Sequence, residues 1–174
     1  MGKSPYKIQF GGLAFGEHQF EFEVKDKFFE QFSESEITSA NITVKATLVK
    51  QNSLLHVLFN IEGFVKLSCD RCLVDYHCPI SGNEKLIVKH GNAEESNDEM
   101  LVLREGLDEI DFTQYLYEYI ELAIPHRRVP CEEDLDVECD QETLTKFNEL
   151  KIEEEKKDIS PQWEKLKDIK FNNN

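Results

Sequence analysis

The chain has 174 residues, 40% of them hydrophobic and 10% aromatic, enough for one globular domain whose core needs neither disulfides nor a metal. Its 35 acidic residues outnumber 20 basic ones, for a net charge of −15. That excludes nonspecific coating of nucleic acid or of an anionic membrane, since both need a local excess of lysine and arginine.

Residues 1–6 open no apolar run, so no export signal is expected. No stretch reaches the roughly 20 apolar residues of a membrane span. The chain reads as soluble and cytoplasmic. Phe20, Phe22 and Val24 alternate with Gln19, Glu21 and Glu23, the period of a half-buried strand. Phe28, Phe29 and Phe32 then stand at helical spacing in one or two turns. Ile42, Val44, Ala46 and Leu48 alternate again, and Leu55, Val57, Phe59 and Ile61 follow after a polar turn at 51–53. Val65 and Leu67 lead into Cys69 and Cys72. Short strands are predicted at Tyr76–Ile80, Leu86–His90 and Met100–Arg104. Strands joined by short turns imply an antiparallel sheet or small barrel, because parallel pairs call for helical crossovers.

The excess acid is concentrated: residues 93–140 hold −13 of the net charge, whereas residues 1–92 hold only −1. Residues 93–110 form an acidic loop and connector. Asp111 with Gln114 resembles a capping box, and Phe112, Leu116, Tyr119, Ile120, Ala123 and Ile124 line one face of a helix that Pro125 ends. A second helix is predicted from Asp140 to about Glu155, and a short one around Trp163, Leu166 and Ile169. The expectation is a single α+β domain over 1–174: a β-rich half (1–92), the acidic connector (93–110) and a helical C-terminal region with its tail (111–174).

Five cysteines are present: Cys69, Cys72, Cys78, Cys131 and Cys139. The C-x2-C pair Cys69/Cys72 is half of many structural zinc sites, and Cys131 with Cys139, or one of these with Cys78, would have to complete it. Seven residues separate Cys131 from Cys139 where two to four are usual. A redox pair would want the first thiol at a helix N-terminus, and here strand and turn surround it. The spacing favours reduced structural thiols and no cofactor, with a structural zinc as the alternative. The histidines show no zinc-protease spacing, Gly11-Gly12 lacks the lysine of a phosphate loop, and no nucleophile elbow is present. Neither an enzyme nor a small-molecule substrate is expected. Basic residues gather on the strands around the Cys turn: Lys45, Lys50, Lys66, Arg71, Lys85 and Lys89, with His90. Arg127 and Arg128 follow Pro125. Such a patch could meet RNA phosphates or a partner.

Four features in order resemble the YceD family. They are Cys69-x-Arg71-Cys72-Leu73, the acidic lead 108–112 into a helix, the close of that helix at 120–125 before a cysteine-bearing segment, and the tail at 160–167. The tail and the short cysteine segment are most similar to Bacteroidetes-type members. The Gly-Leu-Cys element and the fuller cysteine set of many relatives are absent, which weakens a zinc inference drawn from them. The resemblance implies a non-enzymatic cytoplasmic factor in large-subunit (23S) ribosomal RNA synthesis, processing or accumulation. Its partner would be an rRNA precursor or an assembly intermediate, reached directly or through ribosomal proteins. The alternative is a protein-interaction module whose acidic block binds basic ribosomal proteins.

Overall fold

The computed structural model describes residues 5–92, 94, 96–97, 100–130 and 137–150. Among the described residues the elements run β1 (Lys7–Gln9), β2 (Gly16–Lys25), α1 (Asp26–Phe29), β3 (Ser39–Lys50), β4 (Leu54–Ser68) and β5 (Asp75–His90). β6 (Met100–Leu103), β7 (Glu109–Asp111), α2 (Thr113–Leu122) and α3 (Gln141–Leu150) follow. Five strands form a sheet in the order β2-β3-β4-β5-β6, and β1 pairs with β7 as a separate ribbon. Residues 1–139 and 140–174 are two compact units.

Period-2 alternation builds the large sheet. β3 buries Ala40, Ile42, Val44, Ala46 and Leu48; β4 buries Leu55, Val57, Phe59, Ile61, Val65 and Leu67; β5 buries Tyr76, Cys78, Ile80, Leu86 and Val88. All point to one face, where a second layer of α1, α2 and the β1/β7 ribbon supplies Ile8, Phe28, Phe29, Ile110, Phe112, Leu116 and Ile120. Phe59, 1% exposed, meets Phe112 edge-on at 5.3 Å and Tyr119 at 5.5 Å, so the middle strand is tied directly to α2. The Asp26 carboxylate accepts the Ala40 N–H at 2.7 Å and joins the start of α1 to β3. That bond, with the Ser39 hydroxyl, holds Asp26 below the usual carboxylate range.

The expected helical C-terminal half is corrected: the chain is mostly β. β6 meets the strand expected at Met100–Arg104, whereas β7 is a strand not expected at the end of the acidic connector, where Ile110 takes a buried position. Ile110 does so opposite Ile8, in a pairing with the N-terminal strand that no local pattern announces. Helix is confined to α1, α2 and α3 among the described residues. The proposed tail helix at Trp163 lies outside them. The capping box is half formed. Asp111 accepts the Thr113 N–H at 3.0 Å, whereas the Gln114 side chain bonds Glu118 instead of reaching back. Asp140 does start α3, accepting from Glu142 N–H and the Thr143 hydroxyl.

Two further differences concern β5 and its neighbour. The two short strands expected at 76–80 and 86–90 are one strand, since β4 pairs continuously with it from Ser68↔Asp75 to Leu54↔Lys89. Its central Gly82 is paired with Ile61 within the ladder and lies beside Ala123 just past the end of α2. β6 runs parallel to β5 without a helical crossover. It begins level with Ile87, only about 10 Å back along the strand, a distance the short 91–99 connection covers unaided.

Gly63 sits on the buried phase of β4 opposite Ile42 and Ile80. A Cβ at this position would lie 2.3 Å from Asn41 O and 2.7 Å from Ile42 Cα, both backbone atoms. The β3 backbone therefore occupies the space a side chain would need. Gly63→Ala is expected to destabilise the protein by about 2–4 kcal/mol, because neither strand can yield without breaking its ladder. Chemical denaturation of the variant checks this.

Candidate functional site

The alternation that fills the core leaves the opposite face of the sheet open. Cross-strand register sets Gln19, Thr47, Leu58 and Lys85 in one row and Glu21, Lys45, Asn60 and Asn83 in the next. Together they line a shallow concavity of about 730 Å³. Leu58, 47% exposed, lies on its floor, and Asn60 Nδ2 donates to Asn83 Oδ1 at 3.0 Å. Lys45 and Lys85 flank Leu58 on neighbouring strands, and neither makes an ion pair among the described residues. Two strands apart and two residues out of step, their Cα atoms are roughly 12 Å apart.

Lys66 and Lys89 stand on the same open face by the period of β4 and β5. Lys66 is bound to Asp75 at 2.9 Å. That hydrogen bond, with one from Ser68 at 2.9 Å, holds Asp75 below the usual carboxylate range. Lys50 belongs elsewhere: its ammonium donates to the carbonyls of Phe10, Gly11 and Leu13 at 2.8–3.1 Å and pins that loop. His90 bonds Leu107 O at 3.1 Å, likewise away from the open face. Leu58 was legible as an apolar residue out of phase on a strand, a signal the charge-based search passed over.

The Cys turn closes one end of the sheet, between β4 and β5. Cys69 and Cys72 are buried, at 0% and 2% exposure. Cys69 O accepts the Leu73 N–H at 3.0 Å, Cys69 N–H bonds Val74 O at 2.9 Å, and the Arg71 N–H points to Cys69 Sγ at 3.5 Å. Asp70 grips the segment after α2. Its N–H donates to Arg128 O, and its carboxylate accepts from Arg128 N–H at 2.8 Å and from the Arg128 guanidinium at 3.0 Å. The guanidinium also meets Glu36 at 2.9 Å, and this bond raises the arginine pKa further above its ordinary value. Arg128 thus fastens the turn, while Arg71 and Arg127 lie beside it. Sequence spacing did not disclose this pairing across 58 residues.

Of the four cysteines proposed as ligands, three lie among the described residues. Cys69, Cys72 and Cys78 are free thiols, and Cys139 is disulfide-bonded. Cys131 lies outside the described residues. No group of three His, Cys, Asp or Glu side chains there could hold a metal. A second groove, of about 590 Å³, runs between β5 and α2 beside Leu122, which is 73% exposed. It is bordered by Tyr119, whose hydroxyl is buried without a protein partner and whose pKa burial pushes up to about 12.

The described part of the chain is thus an open-faced, mostly antiparallel sheet backed on one side by α1, α2 and the β1/β7 ribbon, with lysines on its free face. The family model described as "Large ribosomal RNA subunit accumulation protein YceD" matches residues 57–170. The chain belongs to the YceD family. Its description names the accumulation of an RNA and no reaction. No curated protein and no solved structure matches the chain. No helix among the described residues is long and apolar enough to cross a membrane.

Leu73 follows the second cysteine with φ at 61°, a left-handed conformation that costs a non-glycine residue about 1–2 kcal/mol, and its side chain is 70% exposed. Leu73→Gly removes that strain and gives up only the small part of the side chain that is buried. It is expected to stabilise the protein by about 0.5–1 kcal/mol after the greater freedom of glycine in the unfolded chain is counted. Thermal or denaturant unfolding measures the difference.

Proposed function

We propose that this protein is a non-enzymatic, cytoplasmic accessory factor in the synthesis, processing or accumulation of large-subunit ribosomal RNA, and that it contacts an rRNA precursor or assembly intermediate through the open face of its sheet. The family supports the RNA process. The observation that carries the contact is the concave face, where Lys45 and Lys85 stand without ion pairs on either side of exposed Leu58. Lys66 and Lys89 stand on the same face toward opposite ends of the sheet, and Arg71 and Arg127 lie near the Cys turn. A flat, sequence-tolerant surface of this kind suits backbone contacts and an exposed base lying on Leu58.

Few phosphates are engaged in this reading, so binding is modest and falls with salt. Lys45→Ala with Lys85→Ala is expected to weaken binding to a 23S precursor fragment several-fold. It should also lower the slope of log affinity against log salt by roughly 1.4, about 0.7 for each lost contact with a single strand. Filter binding over a salt series measures both. Unchanged affinity and slope would remove RNA contact from this face, and unchanged 23S rRNA and large-subunit levels after depletion of the protein would remove the wider role.

In the same reading Cys69 and Cys72 act as reduced thiols that pack the turn on the sheet end. Elemental analysis of the purified protein is expected to find less than about 0.1 metal per chain. One zinc per chain, lost with Cys72→Ser, would replace this with a structural metal site.

A further inference from the structure

β2 is an edge strand of ten residues, paired with β3 alone in unbroken register from Gly16↔Lys50 to Lys25↔Asn41. Charge is the only blunting device this edge carries: the strand has no proline, no bulge, and no covering strand among the described residues. Glu23 O accepts the Tyr6 hydroxyl at 3.2 Å, so the backbone polar groups of Glu23 face outward. By the period of the ladder those of Glu17, Gln19 and Glu21 do too. The same residues carry their side chains on the open face, all exposed, as a row of three carboxylates and one amide. Lys25 is the only cation of the strand, and it is bound to Glu23 at 2.6 Å.

A second copy of the chain is a poor occupant. Any two-fold pairing of β2 with itself centred within residues 19–23 sets at least one carboxylate opposite another, which is destabilising on neighbouring strands. The same row favours an extended segment with lysine or arginine at alternate positions, because each cation then stands across from Glu17, Glu21 or Glu23. The residues between would lie on the core side, beside half-buried Phe20 and buried Phe22. Main-chain hydrogen bonds would supply affinity and the alternate charges register and selection.

We propose that the free edge of β2, from Gly16 to Glu23, is a strand-addition site for a basic, extended protein segment with period-2 lysine or arginine. Tyr6 marks the upper limit of the site, since its hydroxyl already takes the Glu23 carbonyl. The site borders the Lys45/Lys85 concavity and shares Gln19 and Glu21 with it, but it uses the free backbone edge of β2 and does not depend on RNA contact on that face.

The probe is a soluble ten-residue peptide alternating lysine with threonine and valine, against a peptide of the same composition with its lysines in one block. Fluorescence anisotropy should show the alternating peptide binding at least tenfold more tightly, and hydrogen exchange should show the Gln19 and Glu21 amides newly protected. Glu17→Lys with Glu21→Lys should abolish the preference. Gln19→Pro keeps the charge but removes an outward N–H, together with the side-chain amide that donates to Glu17, and should weaken binding at least tenfold. Lys45→Ala/Lys85→Ala, which takes away a cation opposite Glu21, should not weaken it. No binding up to about 1 mM, equal binding of the two peptides, or indifference to Gln19→Pro would overturn the proposal. Protection of the same amides by RNA, or by self-association of the peptide-free protein, would overturn it as well.

Discussion

One-sided burial of the sheet is the constraint on which the rest of the molecule depends. β3, β4 and β5 are 12, 15 and 16 residues long, and each hides alternate side chains on the same face. That apolar face is too large to leave wet, so it recruits whatever cover the chain can offer. α2 supplies Leu116 and Ile120, α1 supplies Phe28 and Phe29, and the β1/β7 ribbon supplies Ile8 and Ile110. Phe59 stands where these pieces meet. Burying such aromatic and aliphatic side chains contributes roughly 1.5–3 kcal/mol each, whereas the exposed ion pairs of the surface contribute little.

The same constraint creates the functional surfaces. With the helix and ribbon on one side, the opposite face and the β2 edge are left to solvent, and charge is sorted between them. Lysines stand toward the middle of the face, and glutamates occupy the edge strand. Arg128 is drawn out of the basic set into Asp70 and Glu36, and Lys50 into three carbonyls. The net charge of −15 therefore says little about any one surface. It keeps the whole molecule from coating RNA, while local fields of either sign remain available to separate partners.

Much of the sheet was legible in the residues. Alternation marked β2, β3 and β4, Phe28 and Phe29 marked α1, and the run from Phe112 to Pro125 marked α2, because a half-buried element writes its period into its own sequence. The β1/β7 pair was not legible, since three-residue strands carry too little pattern and their partners lie about a hundred positions apart. The unity of β5 was hidden by Ser81-Gly82-Asn83, which has the composition of a turn but pairs with β4. The helical emphasis given to the C-terminal half overreached: among the described residues after 111 only α2 and α3 are helical, and residues 123–129 and 137–140 run without helix.

For the site, lysines on alternate positions of neighbouring strands could be assigned to one face from period alone, and Lys66, Lys85 and Lys89 do share it. Which cations are engaged internally could not be read that way. Arg127 and Arg128 are adjacent in sequence, yet only the fold brings Asp70 and Glu36 to Arg128. By itself the sequence determined the strands, their buried faces and the place of the Cys turn, because those depend on interactions between near neighbours along the chain. Only the tertiary structure decided which lysines around Leu58 make no ion pair among the described residues, which strand is left as an edge, and that the connector ends in β7 against the N-terminal strand. Each of those is set by contacts between residues tens of positions apart, and local pattern carries no record of them.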